Sequence, residues 1–319
     1  MDPLDLYPYV MLSNGLVDTS VFLPKPGKGF YRGTRYEWSG MIWQLTYRGH
    51  TFFMPRHDQQ PHDPTHPDHG MSLAEEFRMG SRTSFSSAAH YQGFYETRPG
   101  EKFVIIGVGR LLSPKSDKPY DKAGPYSVVD PGQWTVSRGK EWVAFVHELS
   151  DPSGYRYKYV KRMSLTPNRP ELVVSHCLEN LGTQIIDAFQ YCHHFFAIDN
   201  DTIGTDYEMT LFFPAKFKND RRSILRIDGN RIRFRRNLTK PMGSYVEGFD
   251  NSIGENRCII TNSRTNAGVE ISGDHPVEGF FFYADQSAIC PEMMLDIHLK
   301  PKQAQRWQRN YRFFAPLLL

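Results

Sequence analysis

The sequence contains few cysteines, no long apolar run and no strong excess of either charge. Its four cysteines, Cys177, Cys192, Cys258 and Cys290, form no Cys-x-x-Cys pair, so neither structural zinc nor a disulfide framework is indicated. No apolar run approaches the roughly 20 residues that a membrane-spanning helix needs. The net charge of +3 is small for 319 residues, and no Lys/Arg block is longer than two residues. We therefore expect neither nucleic acid nor a membrane as a partner.

The N-terminal stretch "MDPLDLYPYVMLSNG" is acidic and aromatic. It lacks the basic n-region and apolar h-region of a signal peptide. This favours a cytoplasmic location, and a periplasmic location stays open if a signal peptide has been removed.

Aromatic residues are abundant, and 17 Tyr with 22 Phe favour strands over helices. The strand-like stretches are "MIWQLTYRG", "KFVIIGVGRLL", "EWVAFVHEL", "YRYKYVKRMSL", "ELVVSHCLEN", "QIIDAFQYCHHFF" and "YEMTLFF", with turn signals between them. The pattern predicts an all-β protein with few short helices, in which residues 1–319 form one large antiparallel β-sandwich domain. Only "SLAEEFRMGS", residues 72–81, is predicted as a short helix.

Residues 56–70, "RHDQQPHDPTHPDHG", form a long polar stretch that three prolines interrupt. Imidazole and carboxylate groups can bind transition metals, although the spacing here matches no regular metal motif. A solvated loop, a substrate-contacting loop and a metal site all remain open interpretations. The candidate side chains are His57, Asp58, His62, Asp63, His66, Asp68 and His69.

Two adjacent histidines stand in "QYCHHFFAID". Neighbouring side chains of a strand point to opposite faces, so His193 and His194 are expected in different environments. The simplest alternative to a functional histidine is one packed ring beside one surface ring.

Glu292 lies in the otherwise apolar stretch "ICPEMMLDIHL", with Cys290 and Met294 on its own face if the stretch is a strand. A buried carboxylate must find a partner or become more basic, and a more basic carboxylate suits a general base. A strand-edge glutamate in a salt bridge is the alternative.

The stretch "YRGTRYEWSGMI" combines Arg32 and Arg35 with Tyr36 and Trp38. Aromatic rings stack on the CH faces of sugars while guanidinium groups donate to hydroxyls, so this combination suits a polyol. The alternative is a strand with exposed arginines, which would show the same residue pattern.

In this order, these segments resemble the galactose mutarotase-like (aldose 1-epimerase) superfamily, as a divergent member of bacterial type. "LENLGTQIIDAFQYCHHFFAID" is similar to that family's "ENtG" followed by "NHtYFNL", which sets His193 at the catalytic histidine. Cys192 replaces the usual Asn, and His194 replaces Thr. "AICPEMMLDIHLKPKQAQRWQRNYRF" resembles the late strand that carries the catalytic glutamate, with Glu292 at that position and Trp307 at a typical tryptophan.

A weaker similarity sets "DHGMSLAEEF" against the family's "HGG…GFD" and places His69 at a sugar-binding histidine. The stretch around residue 35 resembles a strand that carries a substrate arginine, and Arg35 is preferred over Arg32. Trp38 and Glu76 complete the candidate substrate-binding residues. On this register His193 faces the cavity and His194 is structural.

The resemblance implies a β-sandwich of galactose mutarotase type, often called a supersandwich, that interconverts sugar anomers. Glu292 would act as the base and His193 as the acid, without cofactor or metal. The partner would be a monosaccharide or small oligosaccharide, and the protein a monomer or homodimer. A non-catalytic carbohydrate-binding domain, or a lyase or isomerase of keto-sugars on the same fold, are the alternatives.

Overall fold

The computed structural model describes residues 2–53, 61–80, 93–95, 97–115, 119–122, 124 and 126–316. Strands dominate these residues. The helical segments among them are α1 (Pro3–Leu6) and two 3₁₀ turns, Ile198–Asn200 and Ile253–Glu255. Within the described ranges, none of the helices has the length and apolar character needed to span a bilayer.

The strands follow one another along the chain as β1 (Tyr9–Ser13), β2 (Val17–Phe22), β3 (Ile42–Tyr47), β4 (His50–Thr51), β5 (Ala74–Met79), β6 (Lys102–Ile105), β7 (Gly109–Leu112), β8 (Ser127–Asp130), β9 (Gln133–Arg138), β10 (Trp142–Ser150), β11 (Arg156–Leu165), β12 (Glu171–Asn180), β13 (Ile186–His193), β14 (Tyr207–Leu211), β15 (Lys216–Phe217), β16 (Leu225–Asp228), β17 (Arg231–Phe234), β18 (Met242–Glu247), β19 (Arg257–Asn262), β20 (Ala267–Gly273), β21 (Gly279–Ala284), β22 (Ile289–Leu299) and β23 (Ala304–Phe314). Each of the seven strand-like stretches named from the sequence overlaps at least one of them.

Four antiparallel sheets contain these strands. The largest has ten strands in the order β16-β17-β14-β19-β20-β23-β12-β11-β10-β9, and the second has six in the order β15-β18-β21-β22-β13-β5. Smaller sheets have the orders β1-β2-β3-β4 and β6-β7-β8. The all-β, antiparallel sandwich predicted from the sequence is confirmed.

The main core lies between the ten-stranded and six-stranded sheets. Phe145 and Met209 enter it from the larger sheet, and Phe280, Phe282 and Met293 enter it from the smaller one. Strands β10, β11 and β12 alternate buried and partly exposed residues, as expected when one face of a sheet meets the core.

Strands β13 and β22 depart from this alternation. Residues 188–193 of β13 and 289–295 of β22 are buried at every position, so both faces of these strands are covered. One face meets the ten-stranded sheet, and the other carries the candidate site.

The helix predicted for residues 72–81 is wrong, because the segment forms strand β5. Its residues pair with β13 from Ala74 to Met79, and Phe77 is fully buried between neighbours. As neighbours in a strand, Glu75 and Glu76 point to opposite faces of the sheet. Tertiary pairing with β13 therefore overrides the local helical propensity of "AEE".

A buried charge cluster joins β5 to the larger sheet. Lys161 Nζ donates to Glu37 Oε1 at 2.5 Å and lies 2.8 Å from Glu75 Oε2. His176 Nε2 and Arg309 Nη1 also contact the Glu75 carboxylate, at 2.8 and 2.7 Å. Burial alone would lower the pKa of Lys161, but the two carboxylates outweigh it and the pKa is raised.

Replacing Lys161 by Met should lower the free energy of unfolding by about 3–5 kcal/mol, because Glu37 and Glu75 would keep their burial and lose a counter-ion. Urea denaturation measures this. Lys158→Met on the same strand, where the side chain is partly exposed, should change it by less than about 0.5 kcal/mol. Equal stability of the two variants would contradict a structural role for the cluster.

Candidate active site

His193 lies between two carboxylates on the face of the six-stranded sheet that points away from the main core. Its Nδ1 is 2.8 Å from Glu292 Oε1, and its Nε2 is 3.0 Å from Glu76 Oε2. All three side chains are buried, with residue exposures of 3%, 5% and 5% for His193, Glu292 and Glu76. Two residues that are 99 positions apart in the sequence are therefore in direct contact.

The sheet order explains why these groups meet. Strand β13 lies between β5 and β22, and the Cα atoms of Tyr191 and Glu76 are partners across β5 and β13. His193 is two residues beyond Tyr191, so it shares a face with Glu76 as a diagonal neighbour. Glu292 reaches the same face from the other side.

The electrostatics favour a protonated histidine. Burial lowers the pKa of His193, but the charges and hydrogen bonds of Glu292 and Glu76 outweigh this, and the pKa is raised. Because each ring nitrogen faces a carboxylate oxygen, both N–H groups of the imidazolium can donate. Burial would raise the pKa of Glu76, yet Arg35 and His193 hold it well below its usual range.

Arg35 and Asp68 extend the charge chain toward solvent. Arg35 Nε donates to Glu76 Oε2 at 2.9 Å, and its Nη1 donates to Asp68. The Asp68 side chain is 40% exposed, compared with 12% for Arg35. The order Asp68–Arg35–Glu76–His193–Glu292 thus alternates in sign from the surface to the buried end.

Aromatic rings enclose His193. The ring centroids of Tyr36, Tyr191 and Phe195 lie 4.9, 5.1 and 5.8 Å from that of His193. Tyr36 approaches Gly70 so closely that a Cβ there would be 2.4 Å from a ring carbon. Any larger residue at position 70 would displace Tyr36 from the histidine.

Cys290 adds a thiol at the buried end. Its Sγ is 3.5 Å from Glu292 Oε1, the same oxygen that faces His193. Burial raises the pKa of this thiol well above its usual range, so it is protonated and donates to the carboxylate.

Left-handed backbone conformations occur just before strand β5 and just after strand β13, the two strands that carry Glu76 and His193. Leu73, just before β5, has φ of 59°, and Phe195, two residues after His193, has φ of 48°. Such conformations cost of order 1–3 kcal/mol in non-glycine residues and concentrate at functional sites. No pattern in the sequence predicts these conformations. Asp68 was a candidate side chain of the loop of residues 56–70, but its contact with Arg35 was not predicted.

Strand alternation separates the two histidines as expected. His194 Nδ1 donates to the Pro291 carbonyl at 2.5 Å, and its ring packs 5.7 Å from Tyr311 in the core. Burial lowers the pKa of His194 to about 3, so this ring is neutral. His193 faces the site and His194 faces the ten-stranded sheet.

Three other predicted substrate-binding residues make contacts within the loops. His69 Nδ1 accepts from the Asp63 N–H at 2.9 Å, and Trp38 Nε1 donates to the Gly33 carbonyl at 2.8 Å. The Arg32 backbone N–H donates to a carbonyl of the following loop at 2.7 Å. Their roles in substrate binding stay predictions.

The histidine-rich loop is described from residue 61 onward, and His57 and Asp58 lie outside the described residues. His62 stacks on Phe30 with centroids 4.0 Å apart, and His66 stacks on His69 at 4.1 Å. The described rings therefore pack on neighbouring rings.

Stability should depend on pH through His193. The pKa of His193 is raised in the folded state, so its positive charge stabilises the fold fully at pH values below the ordinary histidine pKa of about 6.5. This contribution to the free energy of unfolding is lost as the pH rises through the folded-state pKa. The difference in unfolding free energy between wild type and His193→Asn should therefore shrink as pH rises above about 6.5 in urea titrations.

The matched control is His298→Asn, whose side chain is 51% exposed at the other end of β22. This substitution should change the unfolding free energy by less than about 0.5 kcal/mol throughout. If the unfolding free energy of wild type minus that of His193→Asn grows with pH, a protonated His193 is ruled out.

No protein-family model matches this sequence, and no curated protein sequence does. Solved structures share its architecture. A candidate aldose 1-epimerase from Escherichia coli K12 aligns over 97% of this chain and 99% of its own, with a TM-score of 0.61 and 13% identity. A galactose mutarotase-like protein from Clostridium acetobutylicum aligns over 97% and 96%, with a TM-score of 0.56 and 12% identity.

A galactose mutarotase-like protein from Lactobacillus casei ATCC 334 aligns over 96% of this chain and all of its own, with a TM-score of 0.55 and 9% identity. Coverage is almost complete in all three cases, while identity is low. This chain therefore has the galactose mutarotase-like fold and is a divergent example of it.

Proposed function

We propose that this protein is a sugar epimerase of the aldose 1-epimerase type, acting on a monosaccharide or small oligosaccharide. The observation that supports this most is the contact of His193 with Glu292 at 2.8 Å in a buried site of a galactose mutarotase-like fold. An acid and a base that meet across two strands are what ring opening requires.

Anomer exchange needs two proton transfers. Glu292 removes the proton of the C1 hydroxyl, and His193 gives a proton to the ring oxygen, so that the ring opens to the free aldehyde. After rotation about C1–C2 the two transfers run in reverse on the other carbonyl face. The raised pKa of His193 keeps it in the acid form that the first step requires.

A sugar must replace the direct contact between the two groups. The contacts that Glu292 makes with His193 and Cys290 both involve Oε1. We expect Oε2 to receive the hydroxyl proton, while the Nδ1–H of His193 turns from Oε1 to the ring oxygen. Each transfer then has a short hydrogen bond at its start.

Neighbouring groups would orient the sugar. Asp68 is the most exposed member of the charge chain and can accept from ring hydroxyls. Arg35 is engaged by Glu76 and Asp68, so it acts as a positioning residue for both carboxylates. A sugar that enters the site would meet the rings of Tyr36 and Tyr191, which are buried against His193.

A non-catalytic carbohydrate-binding domain is the second candidate. The observation in its favour is the pairing of Glu292 with His193, since a carboxylate that stays bound to a counter-ion cannot serve as a base. The two candidates differ in whether sugar separates this pair.

Exchange spectroscopy by proton NMR, on a panel of aldoses, measures anomer interconversion directly. Wild type should accelerate it for at least one sugar, and Glu292→Gln or His193→Asn should reduce the rate by about 10²–10⁴-fold. Glu148→Gln, which changes an exposed carboxylate on β10, should leave the rate unchanged.

Sugar binding by Glu292→Gln, followed by line broadening, should be largely retained. A wild-type rate in this variant would exclude Glu292 as the base. Wild-type binding without any acceleration would favour the carbohydrate-binding domain.

A further inference from the structure

The buried end of the site gathers nitrogen, oxygen and sulfur donors. One ligand atom each from His193, Cys290 and Glu292 lie within 4.8 Å of one another, and among the described residues these form the group of three that could hold a metal ion. The Glu292 Oε1 atom is 2.8 Å from His193 Nδ1 and 3.5 Å from Cys290 Sγ. These donor types are the ones that Zn²⁺ takes in proteins.

Strand geometry sets these three side chains in advance. Cys290 and Glu292 are two residues apart on β22 and so project from the same face. His193 ends the adjacent strand β13. Because both strands are buried at these positions, a cation would meet an arranged set of ligands and little backbone ordering would be needed.

The far side of His193 supplies an independent indication. Metal-bound histidines almost always donate their second ring N–H to a carboxylate or carbonyl, which fixes the ring and strengthens the ligand. Glu76 Oε2 accepts from His193 Nε2 at 3.0 Å, and Arg35 Nε holds the same oxygen at 2.9 Å. The nitrogen turned toward Cys290 and Glu292 is therefore the one available for a metal.

We propose that His193 Nδ1, Cys290 Sγ and a Glu292 carboxylate oxygen form a three-ligand site for Zn²⁺ or a similar borderline divalent cation. Three protein ligands leave one tetrahedral position for water or a sugar oxygen. Binding exchanges the Nδ1 proton and the thiol proton for the cation, and both protons go to solvent.

Such a cation would occupy the atoms that anomer exchange needs. Zn²⁺ should therefore inhibit exchange reversibly, and a chelator should restore it. This consequence rests on the proposed function, whereas binding of the cation does not.

Co²⁺ added to the chelator-treated full-length protein is the most direct probe, because a thiolate ligand gives a sulfur-to-cobalt charge-transfer band in the near ultraviolet. Wild type should bind one equivalent and show the band. Cys290→Ser should lose the band, and Cys177→Ser, a partly exposed cysteine on β12, should keep it. Glu76→Gln should weaken binding by about 10–100-fold.

Cys290 is fully buried, so a measurement without variants guards against a folding defect. X-ray absorption at the zinc edge of the Zn²⁺-loaded wild type should report one sulfur neighbour with nitrogen and oxygen. Zinc that binds without a sulfur neighbour, a cobalt band unchanged in Cys290→Ser, or no stoichiometric binding would each overturn the proposal.

The two proposals fail separately. If zinc binds stoichiometrically and anomer exchange is unaffected, His193 and Glu292 are not the acid and base, whereas the metal site is supported. If anomer exchange depends on Glu292 and the protein binds no zinc, only the metal-site proposal is wrong.

Discussion

Two adjacent glutamates on β5 connect the core of this molecule to its candidate site. Glu75 points inward, where Lys161, His176 and Arg309 surround its carboxylate, and Glu76 points outward to Arg35 and His193. A strand alone allows this division, since its neighbouring side chains face opposite ways. The inner cluster anchors β5 to the larger sheet and thereby fixes where Glu76 stands. The buried charge cluster thus supports the site in addition to the hydrogen bonds within the site itself.

The outer face depends on the double contact of His193. Carboxylates on both sides of one imidazole stabilise its charged form, and this explains how a nearly buried ring retains a raised pKa. The same contact closes the site, because Glu292 touches the histidine directly. Under the two proposals, sugar binding and cation binding are alternative ways of separating this pair, by hydroxyl groups in one case and by a metal ion in the other.

The fold class predicted from the sequence is confirmed, and the structure brings His193 and Glu292 into contact, while their catalytic roles stay predictions. Aromatic and β-branched alternation predicts the strands, and the motif around His193 and the late glutamate identifies the pair. The sequence did not predict β5, because "SLAEEF" has helical propensity and its pairing with β13 is a tertiary effect. The substrate-binding role of Arg35 stays a prediction, and the contacts of its guanidinium with Glu76 and Asp68 were not predicted. Contacts between segments that are distant in the sequence leave no local sequence pattern from which they could be predicted.

If two carboxylates stabilise the imidazolium, His193 must be protonated at neutral pH, and this can be measured. Nitrogen chemical shifts of this ring, followed by NMR across pH in protein freed of metal by a chelator, distinguish the imidazolium from either neutral tautomer. Both ring nitrogens should carry protons at neutral pH, and the ring should titrate above the ordinary histidine pKa of about 6.5, with the titration moving to lower pH in Glu76→Gln. A neutral His193 at pH 7 in the wild type would contradict this expectation.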